Sequence, residues 1–398
     1  MIKKTKKQHW VPKFIIRKWS NKDEYKFYDI NAKKFNIGNL RNSENDIFYY
    51  DYLYEDEKLF KINEIENGLS KIEDVFAKII REKIISKNDK VIINRLDLKT
   101  IKLYWLIEFF RSLIKKERAY NLEGTSAHNK YFKDKTRIEI DQEFLNQLHY
   151  FVFDVFDYIK SNPGFLPEKL ELRFNKYKNE AKQIIEGNKK ISLESDNVIL
   201  SSILSFNNKS CLKIIKINDK ISYNFLLTDN RSVEFYGLPP SNIYAWPILT
   251  IMPISPKYAI GVLRLNDFDN TKPSIYAKGS IWYEKFPGLF EVNHKFELKN
   301  QKKFFKELLK ELQKNPKILN DKLGYYFLNQ SLVIKHSTNE DTYSYPIYEL
   351  ITKDQVHLVN AMLYSQTYKY VSYLKGKDLL KAIETIKKYN IYRVEDRL

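Results

Sequence analysis

The stretch Lys6-Lys7-Gln8-His9-Trp10-Val11-Pro12-Lys13-Phe14-Ile15-Ile16-Arg17-Lys18-Trp19-Ser20 decides how the rest of the chain is to be read. Two tryptophans, a histidine and an apolar run lie almost at the first residue, which is too apolar for a frayed terminus. Pro12 and Lys13 interrupt the run and no small-residue cleavage site follows, so it does not read as a signal peptide. The expectation is an ordered, buried segment with a charged edge.

Outward from that segment, Tyr25 to Ile30 alternates apolar and polar residues, reaches a turn signal at Asn31, and resumes from Lys33 to Ile37. This predicts a β-hairpin leaning on the opening segment. Residues 44–57 are acidic and tyrosine-rich and read as a loop. Ile62, Ile65, Leu69, Ile72, Val75, Phe76 and Ile79 recur at helical spacing, which predicts an amphipathic helix over roughly 59–85. A second helix, about 98–118, is apolar nearly all round in its middle and should be central and buried. Arg111 on it therefore needs a partner, for which Glu73 and Glu108 are the candidates. A polar loop with His128, a helix over 144–159, a stop at Pro163-Gly164 and a helix from Pro167 to about 186 complete this half.

Composition then changes. Residues 211–217 and 221–227 read as paired strands around Asn218-Asp219, and the turn Thr228-Asp229-Asn230 follows. Trp246 to Ile254 and Tyr258 to Leu265 read as two further strands. The expected fold class is α+β, with helical N- and C-terminal parts around a small, mostly antiparallel sheet within 195–297. The C-terminal helices are placed at 301–313, 354–374 and 378–389. Two parts, 1–190 and 191–398, should pack as one body, because no Gly-, Ser- or Pro-rich linker divides them. No repeat at solenoid period is present.

Across 398 residues, 43% apolar and 15% aromatic content supplies a sizeable core and excludes a disordered chain. The formal charge of +18 favours polyanionic partners, nucleic acid first, with an ordinary lysine-rich surface as the competing reading. Lone Cys211 can form no internal disulfide, which points to a reducing cytoplasm. No apolar run reaches the ~18 residues of a membrane span.

Taken together, several of these residues resemble the bacterial family catalogued as domain of unknown function 4238. Its opening motif is matched by Gln8-His9-Trp10-Val11-Pro12 followed by Phe14 to Arg17. Further matches lie at Ile47-Phe48-Tyr49, Lys71-Ile72-Glu73, Arg111-Ser112, Thr228-Asp229-Asn230, Pro253-Ile254-Ser255-Pro256 and Asn360. Arg231 stands where the family has a proline, and Trp19 where it has a phenylalanine. The resemblance spans nearly the whole chain. It implies no settled activity, only a set of polar residues that meet in space.

No phosphate-binding loop, dinucleotide fingerprint, zinc-protease or serine-hydrolase motif is present. The candidates for chemistry are therefore His9, Asp229 and Arg111 as catalytic groups, with Gln8, Arg17, Asn230 and Asn360 binding substrate. A histidine held by a carboxylate is poised as a general base, and the arginine forks match a phosphate bidentately. His9 and Asp229 are expected to share one cleft. That set suits phosphodiester cleavage, plausibly of RNA, either without a cofactor or with a divalent ion such as magnesium on Asp229. Against it stands a structural reading. His9 is then a core histidine, Asp229-Asn230 an Asx turn, and the protein a non-catalytic module binding nucleic acid or protein. Basic runs at Lys3 to Lys7, Lys115 to Arg118, Lys299 to Lys310 and Lys387-Lys388 could follow a backbone, and Trp10, Trp19, Tyr120, Phe304 and Tyr389 could stack on bases.

Overall fold

The computed structural model describes residues 7–41, 46–111 (except 57, 86 and 88), 136–161, 210–235, 247–265, 281–319 and 335–391, with isolated positions between 319 and 335. Lys3 to Lys6, Ser112, Lys115 to Arg118, Tyr120, His128 and the helix expected over 167–186 lie outside the described residues.

The opening segment forms strand β1 (Lys7–His9) and, after Pro12, one helical turn α1 (Lys13–Ile16) that tightens into a 3-10 turn through Trp19. Pro12 suits this start, because its carbonyl accepts the Ile15 N–H at 3.0 Å and it has no N–H to leave unpaired. Strands β2 (Ser20–Asn21), β3 (Glu24–Asp29) and β4 (Lys34–Asn39) contain the expected hairpin, with Tyr25 and Phe27 buried on its inner face. The stretch read as a loop supplies another strand, β5 (Tyr49–Asp51), which pairs with β1 and sets His9 opposite Tyr49.

Helix α2 (Glu64–Ile79) runs on through a π-helical turn to Ile84 and buries Ile65, Leu69, Ile72, Phe76 and Ile79. Strand β6 (Lys90–Asn94) leads directly into α3 (Arg95–Arg111). As its apolar girth requires, α3 is buried along its middle, and Tyr104 stacks on Phe76 of α2 with ring centroids 3.7 Å apart. Helices α4 (Arg137–Tyr150) and α5 (Phe156–Ser161) are joined by a π-helical turn.

Strand β7 (Ser210–Ile217) has every residue buried, as a strand covered on both faces must. It is followed by β8 (Leu227–Thr228), β9 (Val233–Phe235) and the antiparallel pair β10 (Leu249–Pro253) and β11 (Tyr258–Arg264). Next come α6 (Ile281–Lys285), β12 (Lys295–Glu297), α7 (Gln301–Lys314) and the long β13 (Thr342–Leu350). The chain closes with α8 (Lys353–Ser365), started by a Thr352/Gln355 capping box, then β14 (Tyr370–Tyr373) and α9 (Gly376–Tyr389).

The molecule is α+β, but its sheets are larger, more numerous and more mixed than the single small sheet the sequence predicts. One sheet has seven strands, ordered β12-β13-β7-β11-β10-β9 with β6 also on β13, and its β13–β7 pair is parallel. A second has five strands: β3 carries β4 on one edge and β2 and β14 on the other, and β14 carries β8. A third is the β1–β5 pair. Two expected elements are corrected here. Residues 221–226 do not pair with β7, because β11 and β13 already occupy its edges. The helix expected over 354–374 stops at Ser365, since Tyr370-Val371-Ser372-Tyr373 is taken as a strand between β3 and β8.

Candidate active site

His9 finds its carboxylate in Asp46, 37 residues on, and not in Asp229. Its Nε2 lies 2.6 Å from Oδ2 of Asp46. The other carboxylate oxygen of Asp46 accepts the Tyr25 hydroxyl at 2.9 Å and the Phe48 N–H at 3.4 Å. Tyr25 reaches that position because Gly38 faces it across the hairpin. A Cβ on Gly38 would stand 2.3 Å from the Tyr25 ring, too close for any side chain. Tyr25 in turn accepts the Ile47 N–H at 3.0 Å, so the carboxylate is held from two sides.

Burial would raise the Asp46 carboxyl, but its bonds to His9, Tyr25 and Phe48 hold it below the ordinary 3.8. Burial also lowers His9 below 6.5, with Lys13 and Arg111 acting in the same direction against the pull of Asp46. A protonated ion pair would raise the histidine, so the two directions together describe a neutral imidazole donating from Nε2 to an ionised carboxylate. The lone pair then sits on Nδ1. That nitrogen has no hydrogen-bond partner among the described residues, on a histidine that is 7% exposed. Lys13 is exposed and its charge reaches His9, and Lys7 lies 4.0 Å above the Tyr49 ring that flanks His9.

Beneath His9 lies a buried charged network. Arg111 donates to the His9 carbonyl, to the Tyr54 hydroxyl at 2.9 Å, to Glu73 at 2.6 Å and to Glu108 at 3.4 Å. Both glutamates expected as partners are there. Glu108 also pairs with Arg231, which donates to the Tyr104 hydroxyl at 2.7 Å. Arg231 takes a left-handed backbone at φ 56°, a conformation closed to proline. Glu66 is the surplus acid: burial pushes it up to about 7, and its Oε2 has no hydrogen-bond partner. Arg111 thus acts on the backbone that carries His9, and its fork is not free to grip a phosphate.

The remaining predicted residues do different work. Gln8, fully buried, donates to Glu55 at 2.7 Å and accepts the Tyr54 N–H at 2.5 Å, fastening β1 to the segment before α2. Asp229 accepts three backbone N–H groups, from Tyr368 at 3.0 Å, Lys369 at 2.6 Å and Tyr370 at 2.8 Å. Burial nonetheless raises its carboxyl to about 6. With both oxygens facing N–H donors it is not arranged as a cation ligand, and among the described residues no group of three or more His, Cys, Asp or Glu is placed to hold a metal ion. Asn230 donates to the Ser232 carbonyl at 3.1 Å. Asn360 accepts the Leu226 N–H at 3.0 Å and donates to the Asn224 carbonyl at 2.8 Å. Arg17 is 62% exposed and turns to Asp23.

The bonds of Asn360 have a local cause. Residues 221–226 have no place in a β-ladder, so their buried backbone groups must be satisfied otherwise. Trp19 donates to the Phe225 carbonyl at 2.8 Å, the Phe225 N–H reaches the Pro256 carbonyl at 2.8 Å, and Asn360 serves both sides. Trp10, Trp19 and Phe304, proposed for base stacking, are buried and unavailable to a base.

The sequence reading missed Asp46 as the partner of His9 and Tyr25 as the partner of Asp46. Asp46 stood beside Ile47-Phe48-Tyr49, a match to the family, and that adjacency was the one signal pointing to it.

A family model described as "Protein of unknown function (DUF4238)" matches residues 7–377, a span that takes in every residue of this site. No curated protein matches the chain, and no solved structure does.

Proposed function

The chain belongs to the DUF4238 family, and from that premise and the surroundings of His9 we propose that it cleaves phosphodiester bonds, with RNA as substrate and His9 as general base. The observation that carries this reading is the 2.6 Å contact between His9 Nε2 and Asp46, which leaves the imidazole's lone pair on Nδ1. RNA suits one imidazole because it brings its own nucleophile. Nδ1 takes the proton of the 2′-hydroxyl, the freed oxygen attacks phosphorus, and the bond to the 5′-oxygen breaks. A 2′,3′-cyclic phosphate and a 5′-hydroxyl result, the latter taking the proton back from the imidazolium. Asp46 stabilises that imidazolium, while Lys13 and Lys7 attract the phosphate. The net charge of +18 supports a polyanionic substrate. A cytoplasmic bacterial effector acting in phage defence or growth inhibition is the setting we assign to such an activity. No helix among the described residues is long and apolar enough to cross a membrane.

The competing reading is a non-catalytic module that binds nucleic acid or a protein. Gln8, Asp229 and Asn360 favour it, since each uses its side chain on backbone groups. Labelled RNA and DNA incubated with the protein, with and without divalent metal, separate the two readings. His9→Gln and Asp46→Asn should abolish RNA cleavage while leaving the fold and RNA binding intact. Cleavage at the native rate in His9→Gln removes His9 as the base, and absence of cleavage by the native protein sinks the nuclease.

A further inference from the structure

The outer face of the five-stranded sheet carries an aromatic surface that none of the site residues uses. β3 and β4 pair Tyr28 with Phe35 and Lys26 with Ile37, while β14 sets Tyr373 beside Lys26. Side chains opposite one another in a ladder share a face, so these five form one patch. Tyr28 and Phe35 lie 4.9 Å apart between ring centroids, and Phe35 meets Tyr373 edge-on at 6.2 Å. Its β4 side is open, with Phe35 53% and Ile37 60% exposed on a strand that would normally turn polar residues to water, whereas Tyr28 is half-buried and Tyr373 is buried at the β14 side. Lys26 rises from its centre and Lys33 stands exposed at its rim, with Glu24 the one acid that β3 and β4 turn to this face.

We propose that this face is a docking platform for single-stranded nucleic acid, with bases lying on Phe35 and Tyr28 and the backbone following Lys26 and Lys33. Exposed rings interleaved with lysines fit this occupant, because stacking needs an open π-face and the lysines supply the phosphate counter-charge. A duplex, whose bases are already stacked, gains only the lysine contacts. The assignment concerns binding and does not rest on His9 performing chemistry, since Tyr25, which holds Asp46, points to the opposite side of the sheet.

The test is fluorescence anisotropy with the full chain and a labelled uridine-rich 12-mer, its deoxy counterpart, and the same RNA in duplex form. Native protein should bind both single strands more tightly than the duplex, and more weakly as salt rises. Phe35→Ala should weaken single-strand binding roughly tenfold, the size of one lost base–aromatic stack, with little change for the duplex. Lys26→Glu should weaken all probes and flatten the salt dependence. Both positions are exposed, and circular dichroism and chromatographic elution confirm the fold and the oligomeric state of each variant. Unchanged affinity in both variants, or native binding that does not distinguish single strand from duplex, overturns the platform. So does a native protein that self-associates through this face and becomes monomeric in Phe35→Ala, for the occupant is then a second copy. His9→Gln should leave these affinities unchanged, so loss of cleavage and loss of the platform are read separately.

Discussion

Asp46 and Asp229 are both buried carboxylates, and their partners set them apart. Asp46 faces side chains, an imidazole and a phenol, the first of which keeps a lone pair on Nδ1. Asp229 faces three consecutive backbone N–H groups and fixes the entry of the chain into β14. A carboxylate that orients a titratable group can serve a reaction, whereas one that satisfies orphan backbone donors holds a fold together. The residue that resemblance singles out is thus the staple, and the residue beside a matched triplet is the one that holds His9.

The widest separation between the two should appear in activity. Asp46→Asn and His9→Gln should each lower RNA cleavage by about 10²–10⁴-fold, the range for losing a positioned general base. Asp46→Asn adds a specific defect, since an amide can offer an N–H to Nε2 and so favour the tautomer with the proton on Nδ1. Single-turnover rates beside urea melts will check this. Equal losses of rate and stability across both variants would return His9 to the core.

Stability should separate them next, and in the other direction. Asp229→Ala orphans three buried N–H groups and should cost about 3 kcal/mol, since each unsatisfied donor costs about 1–3 kcal/mol before local relaxation. The midpoint of urea unfolding should fall accordingly, while the residual folded protein cleaves at the native rate. A variant that stays stable but loses activity would put Asp229 back in the reaction and break the comparison.

What could be read in the sequence follows the same division between local and distant partners. The β3–β4 hairpin and α2 were legible because their periodicity is carried by adjacent residues. Arg111's partners were legible because Glu108 lies one turn earlier on α3 and Glu73 sits on the amphipathic helix packed against it. The parallel pairing of β13 with β7 was not, because nothing in either strand names a partner more than a hundred residues away. The pairing of His9 with Asp46 was hidden for a related reason. It joins residues 37 apart, and Asp46 lies in a stretch with no hydrophobic period. Asp229 and Asn360 drew attention as polar residues at strand ends and in an apolar helix, but a side chain that satisfies backbone looks, in sequence, like one that binds substrate.

The two carboxylates should also respond to pH with opposite sign. Asp46 is held below 3.8, so its ionised form is favoured by folding. Its contribution is present above pH 4 and is lost as pH falls through the folded value. Asp229 is raised from 3.8 to about 6, so between those values the folded chain keeps a proton that the unfolded chain has released. Its contribution is greatest below pH 4 and declines as pH rises toward 6. The gap in stability between native protein and Asp229→Asn should therefore narrow between pH 4 and 7, on the order of 1 kcal/mol per pKa unit. For Asp46→Asn the gap should widen as pH rises from 3 to 5. Urea midpoints at four pH values suffice, and gaps that move together would show that the two sites do not differ in this way.

The smallest effect belongs to a residue near neither carboxylate. Arg17 follows the opening motif closely, yet its side chain is 62% exposed and meets Asp23 only at 3.8 Å. Exposed ion pairs of this kind contribute about 0–1 kcal/mol, so Arg17→Ala should shift stability by less than about 0.5 kcal/mol. If Lys13 and Lys7 supply the charge around His9, cleavage should change by less than about twofold as well, within the range that a lost rim charge produces through slower encounter at low salt. A larger loss, persisting at high salt, would mean that the substrate extends along α1 past Lys13. The site would then include the end of the motif as well as its histidine.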